Sequence, residues 1–339
     1  MKLVASNPLS RFQATEVTYE DEFTPRAVYT LLEDHSRGIV AENNSPDIGF
    51  SHSVNPYRGC FHGCAYCYAR PGHEYLSFGA GTDFDRKIVY KPNAAALLEE
   101  HFQRTSWKGD LLMFSGVTDC YQPAERSLQL TRGCLEVCAK YRNPVAVITK
   151  SPLIERDLDL FQRLHATAYA RVAISIPFSN EEDARALEPA VAPPKRRLET
   201  IRRLTDAGIR VGVSVSPIIP GLSDSQLVEV LEQAKDAGAS FAFYVLLRLP
   251  GAVKSVFEDR VRAAFPLRAE KILRRIRETR GGSLYQSDFA TRQSGTGIYA
   301  ETISQLFQTT RKRLGFSEAH ERGPEPTTFA RPTAQMSLF

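Results

Sequence analysis

Three of the six cysteines in this 339-residue chain fall within eight positions, Cys60, Cys64 and Cys67. They lie in the run Asn55-Pro56-Tyr57-Arg58-Gly59-Cys60-Phe61-His62-Gly63-Cys64-Ala65-Tyr66-Cys67-Tyr68-Ala69-Arg70-Pro71. A loop carrying two glycines buries little, and thiolates spaced C-x3-C-x2-C are metal ligands far more often than core residues. A closed structural zinc site wants four protein ligands, so His62 would have to serve, crowded by Cys60 and Cys64. A bacterial ferredoxin run would put a fourth cysteine directly before a proline, where this chain has Arg70 before Pro71. On a four-iron cluster, three thiolates leave one iron without a protein ligand. Such an open coordination position is what a catalytic cluster needs.

With Tyr66 just before the last cysteine, the motif resembles that of the radical S-adenosylmethionine (radical SAM) superfamily. The resemblance implies a 4Fe-4S cluster on Cys60, Cys64 and Cys67, with the amino and carboxylate groups of S-adenosyl-L-methionine on the fourth iron. It also implies Tyr66 near the adenine and a partial (β/α)6 TIM-like barrel. Roughly residues 36 to 316 are similar to the spore-photolyase-like branch, the DNA repair photolyase type. The stretches that carry this are Ser45-Pro46-Asp47, Thr118-Asp119-Cys120-Tyr121-Gln122-Pro123, Ile148-Thr149-Lys150-Ser151, Leu187-Glu188-Pro189, residues 217–224 and Gly281-Gly282-Ser283-Leu284-Tyr285. By that likeness Gly116, Val117, Thr118 and Asp119 meet the amino group of the cofactor. Lys150 and Ser175 meet its carboxylate and ribose, a lysine being a sensible carboxylate partner. The branch uses a cysteine as hydrogen-atom donor in this region. Its place falls at Gly116 here, and Cys120 is the candidate donor.

The activity so implied is a lyase or repair reaction of the radical SAM kind. A reduced cluster passes one electron to the cofactor, and the resulting 5′-deoxyadenosyl radical abstracts a hydrogen atom from substrate. The substrate class is a DNA lesion or modified base, and the electron comes from an external flavodoxin- or ferredoxin-like protein. The alternatives are radical SAM modification of a protein or small molecule, and a non-catalytic zinc or Fe–S protein.

These residues need a frame. Six runs rich in Val, Ile or aromatics read as strands: 50–55, 110–115, 145–149, 171–176, 211–219 and 240–249. Several are near-continuous apolar runs, as in strands buried on both faces of a parallel sheet. Helical patterns lie between them at 125–141, 195–207 and 225–237. The last two stop at Gly208 and Gly238, and Ser225 is a candidate cap. Cys134 and Cys138, at i and i+4 of the first, read as buried small hydrophobes. Five crossings in one direction predict a parallel β/α barrel or a doubly wound sheet. In such barrels functional residues collect at the C-terminal strand ends. The cysteine loop follows the first strand, Thr118-Asp119 the second and Lys150-Ser151 the third. Ser175 ends the fourth, 216–220 closes the fifth and Arg248 the sixth.

Around a core at 50–250 stand a loose extension at 1–49 with one helix at 25–33, a helical basic region at 251–316, and a flexible Pro-containing tail at 317–339. Between Arg260 and Arg313 twelve basic residues face four acidic ones, a net +8 inside a chain whose total is +4. That excess suits DNA or RNA phosphate contact, or a solvated helical face. The ending Gln335-Met336-Ser337-Leu338-Phe339 resembles a bacterial sliding-clamp-binding peptide, with Gln335, Leu338 and Phe339 as its anchors. At 42% hydrophobic and 24% charged the composition excludes disordered and collagen-like classes. The longest apolar run, 241–247, falls well short of the roughly 18 residues of a membrane span. No export signal is visible, so no membrane and a cytoplasmic address with reduced thiols are expected.

Overall fold

Apolar runs flanked by glycine and polar residues can pair on both edges and bury both faces, and most of them here do so in one sheet. The computed structural model describes residues 6–7, 17–18, 28–317 and 326–332. In chain order the strands are β1 (Ser6–Asn7), β2 (Val17–Thr18), β3 (Thr30–Glu33), β4 (Val40–Glu42), β5 (His52–Val54), β6 (Tyr57–Arg58), β7 (Lys87–Tyr90), β8 (Leu112–Phe114), β9 (Val145–Thr149), β10 (Ala170–Ser175), β11 (Val211–Ile218) and β12 (Phe241–Leu246). The main sheet has the order β12-β11-β10-β9-β8-β5-β4. Its six strands from β5 to β12 are parallel and sequential, while β4 runs antiparallel on the β5 edge. This is an open β/α half-barrel whose edges, β4 and β12, do not pair. The six expected strands are its six parallel strands.

Helices fill the crossings. They are α1 (Thr82–Arg86) and α2 (Ala94–Gln103), then α3 (Glu125–Leu128) and α4 (Leu130–Lys140), α5 (Leu158–Thr167), α6 (Glu181–Leu187) with α7 (Pro194–Asp206), and α8 (Leu227–Asp236). The expected helix at 125–141 breaks at Gln129, whose φ of 51° ends α3 and begins α4. Ser225 does not cap α8; its hydroxyl donates to the Leu222 carbonyl inside a short 3-10 turn. Beyond β12 the basic region is helical as expected: α9 (Val253–Ala264), α10 (Ala269–Glu278) and α11 (Gly297–Arg313). No helix among the described residues is long and apolar enough to cross a membrane.

Two apolar clusters matter for the site. The larger lies between the sheet and its helices and includes Cys120, Cys134 and Cys138, all fully buried. The smaller joins Cys64, Ala65 and Tyr66 to Phe178, Leu187, Leu247 and the inner faces of α9 and α10. The C-terminal helices therefore support the cysteine loop from behind.

The flanks correct two expectations. Residues 30–33 of the expected helix are strand β3, paired parallel with β7, which pairs antiparallel with β6. β3 is mostly exposed, so backbone pairing with the free edge of β7 fixes it, without an apolar period to betray it. Residues 326–332 of the expected flexible tail are held down. Ala330 N–H donates to the Tyr141 carbonyl, Arg331 to those of Phe102, Arg104 and Trp107, and Phe329 stacks on Tyr141. The peptide at 335–339 lies outside the described residues.

Candidate active site

The cysteine loop leaves β5, forms β6 against β7, and turns at Gly59, whose φ is +76°. A Cβ there would stand 2.8 Å from the Lys87 carbonyl, so only glycine fits. The Gly59 carbonyl accepts from Thr118 Oγ1 at 2.6 Å and Gln122 Nε2 at 3.0 Å, while Gln122 Oε1 accepts from Phe61 N–H. Arg70, the residue found where a ferredoxin run has its fourth cysteine, is fully buried. Its Nε and Nη2 donate to the Cys64 carbonyl, Nη1 to those of Ala80 and Gly81, and Nη2 lies 2.8 Å from Asp85 Oδ1. A buried guanidinium persists only when paired and hydrogen-bonded, and this one staples the loop.

All six cysteines are free thiols; Cys60 and Cys64 are buried and Cys67 partly so. Burial pushes the Cys64 and Cys67 thiols up, Cys67 to about 11. Cys60 adds to the rise on both, while the Lys150 ammonium opposes it. Cys64 and Cys67 thus both lie within reach of the Lys150 charge. Thiols in such a place ionise only against a cationic centre, which the irons of a cluster would supply, so the residues present fit that group. Among the described residues no group of three or more His, Cys, Asp or Glu is placed to hold a single metal ion. Three thiolates each bound to a different iron need no such common centre.

Asp119 draws three strand-end loops together. Its carboxylate accepts from Thr149 Oγ1 at 2.6 Å, Lys150 N–H at 2.8 Å and Tyr121 N–H at 2.9 Å, and faces His62 Nδ1 at 3.4 Å. Burial alone would raise its pKa, but the His62 cation and these donors hold it at about 2. His62 is in turn raised to about 10: burial opposes its charge, and Cys60 and Asp119 outweigh burial. The Asp119 carboxylate is thus engaged by donors of the protein itself. Thr118 is likewise buried and bonded to Gly59.

A second chain of contacts runs from the loop to β10. Tyr66 Oη donates to Glu188, Glu188 pairs with the fully buried Arg197, and Arg197 Nη1 donates to the Ser175 carbonyl at 2.8 Å. Lys150 Nζ lies 5.7 Å from the Tyr66 ring centroid and has no ion pair among the described residues. The structure thus gathers Cys60, Cys64, Cys67, Tyr66, Thr118, Asp119, Lys150 and Ser175 at one pole. Gly116 is there too, its carbonyl accepting from the half-exposed Tyr68 hydroxyl at 2.7 Å. A side chain at Gly116 would press on Ser53 at 3.3 Å.

Cys120 is the exception: it is wholly buried in the main core, its N–H bonded to Ser115 Oγ, and burial drives its thiol well up. Glu188 and Gln122 stand within motifs visible in the sequence. Their partners lie 122 and 63 positions away, so no local signal revealed their roles.

A sequence profile of the Radical SAM superfamily matches residues 54–234. Uncharacterized proteins of Mycobacterium bovis and Mycobacterium tuberculosis are 33% identical over 298 residues, 87% of this chain and 84% of theirs. A protein of Pseudomonas phage M6 named radical SAM Nalpha-GlyT isomerase is 26% identical over 176 residues, 51% of this chain and 35% of its own. Among solved structures, spore photoproduct lyase complexed with dinucleoside spore photoproduct superposes with a TM-score of 0.58 at 15% identity, covering 85% of this chain and 81% of that one. A cysteine-to-serine variant of the lyase gives 0.60, again at 15% identity, over 91% and 88%. At that identity the likeness is one of fold.

Proposed function

The chain belongs to the radical SAM superfamily, and from that premise we propose that it uses a 4Fe-4S cluster and S-adenosyl-L-methionine to take a hydrogen atom from a nucleic-acid substrate. The observation that carries the reading is the loop: three free thiols within eight residues, two of them near the Lys150 charge, at the C-terminal pole of a half-barrel. Cys60, Cys64 and Cys67 would hold the cluster. Such a cluster, with the sulfonium cofactor bound, would supply reductive cleavage chemistry that the side chains cannot.

The protein's part is placement. Arg70 fixes the loop through the Cys64 carbonyl, and Gln122 and Thr118 fix it through Gly59. Lys150 offers an unpaired ammonium beside Tyr66, the place for a cofactor carboxylate. The Glu188 and Arg197 pair fixes the Tyr66 ring, the surface for an adenine, against the end of β10. Asp119 acts as a positioning residue, tying the loops after β5, β8 and β9.

A nucleic-acid substrate is supported by the dinucleoside ligand of the fold relative and by the clamp-like ending. Residues 326–332 are held at the N-terminal ends of β8 and β9, the pole opposite the cysteines. Gln335, Leu338 and Phe339 would be the anchors for such a clamp. A flavodoxin- or ferredoxin-like donor supplies the electron. The test is 5′-deoxyadenosine release by anaerobically reconstituted, dithionite-reduced protein with and without ultraviolet-damaged or base-modified oligonucleotides. Release that rises severalfold with one DNA substrate supports the reading. Release indifferent to every DNA, but raised by a protein, contradicts it.

A further inference from the structure

The cations that close the barrel strands are not all committed. Arg280 donates to the carbonyls of Leu246, Leu247 and Thr291, Arg292 is paired with Asp47, and Arg260 donates to Ala186. Lys150 is unpaired, and the reading above gives it the cofactor's carboxylate. That leaves Arg248, just past the end of β12. Among the described residues it has no ion pair and no hydrogen bond, and its Nε is shut away from solvent without a partner. Buried donors are nearly always satisfied, so an orphaned one facing a site is a reason to look for a ligand.

Three observations place the missing partner. The Arg248 guanidinium stands 6.0 Å from the ring centroid of Tyr68, a half-exposed residue directly after Cys67. Tyr68 in turn bonds Gly116 after β8, so Arg248 faces the same opening as the cysteine loop. The chain then returns to that loop, since a Cβ on Gly251 would lie 3.4 Å from Pro71. The charge beside Arg248 is another cation, Arg280, which burial and Arg248 together push down to about 10. Positive charge here is left uncompensated by the protein.

We infer that Arg248 is a substrate-binding residue that takes a backbone phosphate of the nucleic acid, next to an aromatic face on Tyr68 where an unstacked base can lie. The guanidinium fork matches phosphate geometry, and an exposed aromatic ring beside a cation is the usual make-up of a single-strand site. This rests on the nucleic-acid reading above.

The test is fluorescence anisotropy of a labelled single-stranded oligonucleotide with full-length, cluster-loaded protein across a salt series, comparing wild type, Arg248→Gln and Arg248→Lys. Cluster absorbance and thermal midpoint serve as the folding control. Arg248→Gln should weaken binding roughly tenfold at low salt and reduce the log–log salt slope by about 0.7, the share of one phosphate contact on a single strand. Arg248→Lys should keep the slope and lose less affinity. Wild-type affinity and slope in Arg248→Gln overturn the assignment, as does an equal loss in both variants, which marks a structural role. If wild type ignores the oligonucleotide but binds an acidic peptide, the nucleic-acid reading fails and this assignment with it.

Discussion

A carboxylate that already accepts from Thr149, Lys150 and Tyr121 and faces His62 is a structural centre. Asp119→Asn turns one acceptor oxygen into a donor opposite other donors. It should cost roughly 2–4 kcal/mol in urea denaturation and lower iron retention on reconstitution; wild-type values for both would remove Asp119 from that role. The thiols divide more simply. Cys134→Ala, deep in the main core, should keep the visible cluster absorbance and lose about 1–2 kcal/mol of stability. Loss of absorbance in that variant would place a ligand where none is expected. At this scale the cysteine spacing was legible because three ligands crowd one loop. Glu188 and Arg70 were seen as motif letters without roles, and Asp119 only as a cofactor contact, because each acts on partners that only the fold brings near.

At the scale of elements, the half-barrel was readable from six apolar runs, whereas its trimmings were not. β3 is an exposed edge strand with no period, and the break at Gln129 interrupts a pattern that reads as one helix. The open side is spanned by a loop that no pattern announced. Leu246 N–H bonds Gln293 beside β12, while Arg292 forks onto Asp47 beyond β4, with Nη2 to Oδ1 at 2.6 Å. Hydrogen bonding and the charge of Arg292 hold the Asp47 pKa below its usual value despite partial burial. A depressed carboxylate adds stability above its unfolded pKa and loses it as pH falls through the native value. Asp47→Asn should therefore lower stability by about 1–2 kcal/mol at pH 7, and the difference from wild type should shrink toward pH 3. A difference that persists unchanged in acid contradicts an electrostatic latch.

Over the whole molecule, the net +8 between Arg260 and Arg313 changes meaning. Arg262, Arg274 and Arg275 pair within the segment, and Arg268, Arg277, Arg292 and Arg313 pair with Asp183, Glu258, Asp47 and Glu232 outside it. Three of these pairs, to Asp183, Asp47 and Glu232, tie the C-terminal segment to the rest of the chain. The uncompensated cations at the active pole are instead Lys150 and Arg248, which composition could not reveal. Residues 326–332 of the tail are similarly redefined as an anchored segment. Phe329→Ala should lower stability by roughly 1–2 kcal/mol through lost contact with Tyr141 and Phe102, and an unchanged thermal midpoint would deny the anchor. The most direct test of the central claim is 5′-deoxyadenosine formation by anaerobically reconstituted, dithionite-reduced protein supplied with S-adenosyl-L-methionine, beside Cys60→Ala treated identically. The account predicts product from wild type and none from Cys60→Ala, which also lacks the visible cluster absorbance. A wild-type protein that carries the full cluster yet forms no 5′-deoxyadenosine, with or without DNA, would contradict it.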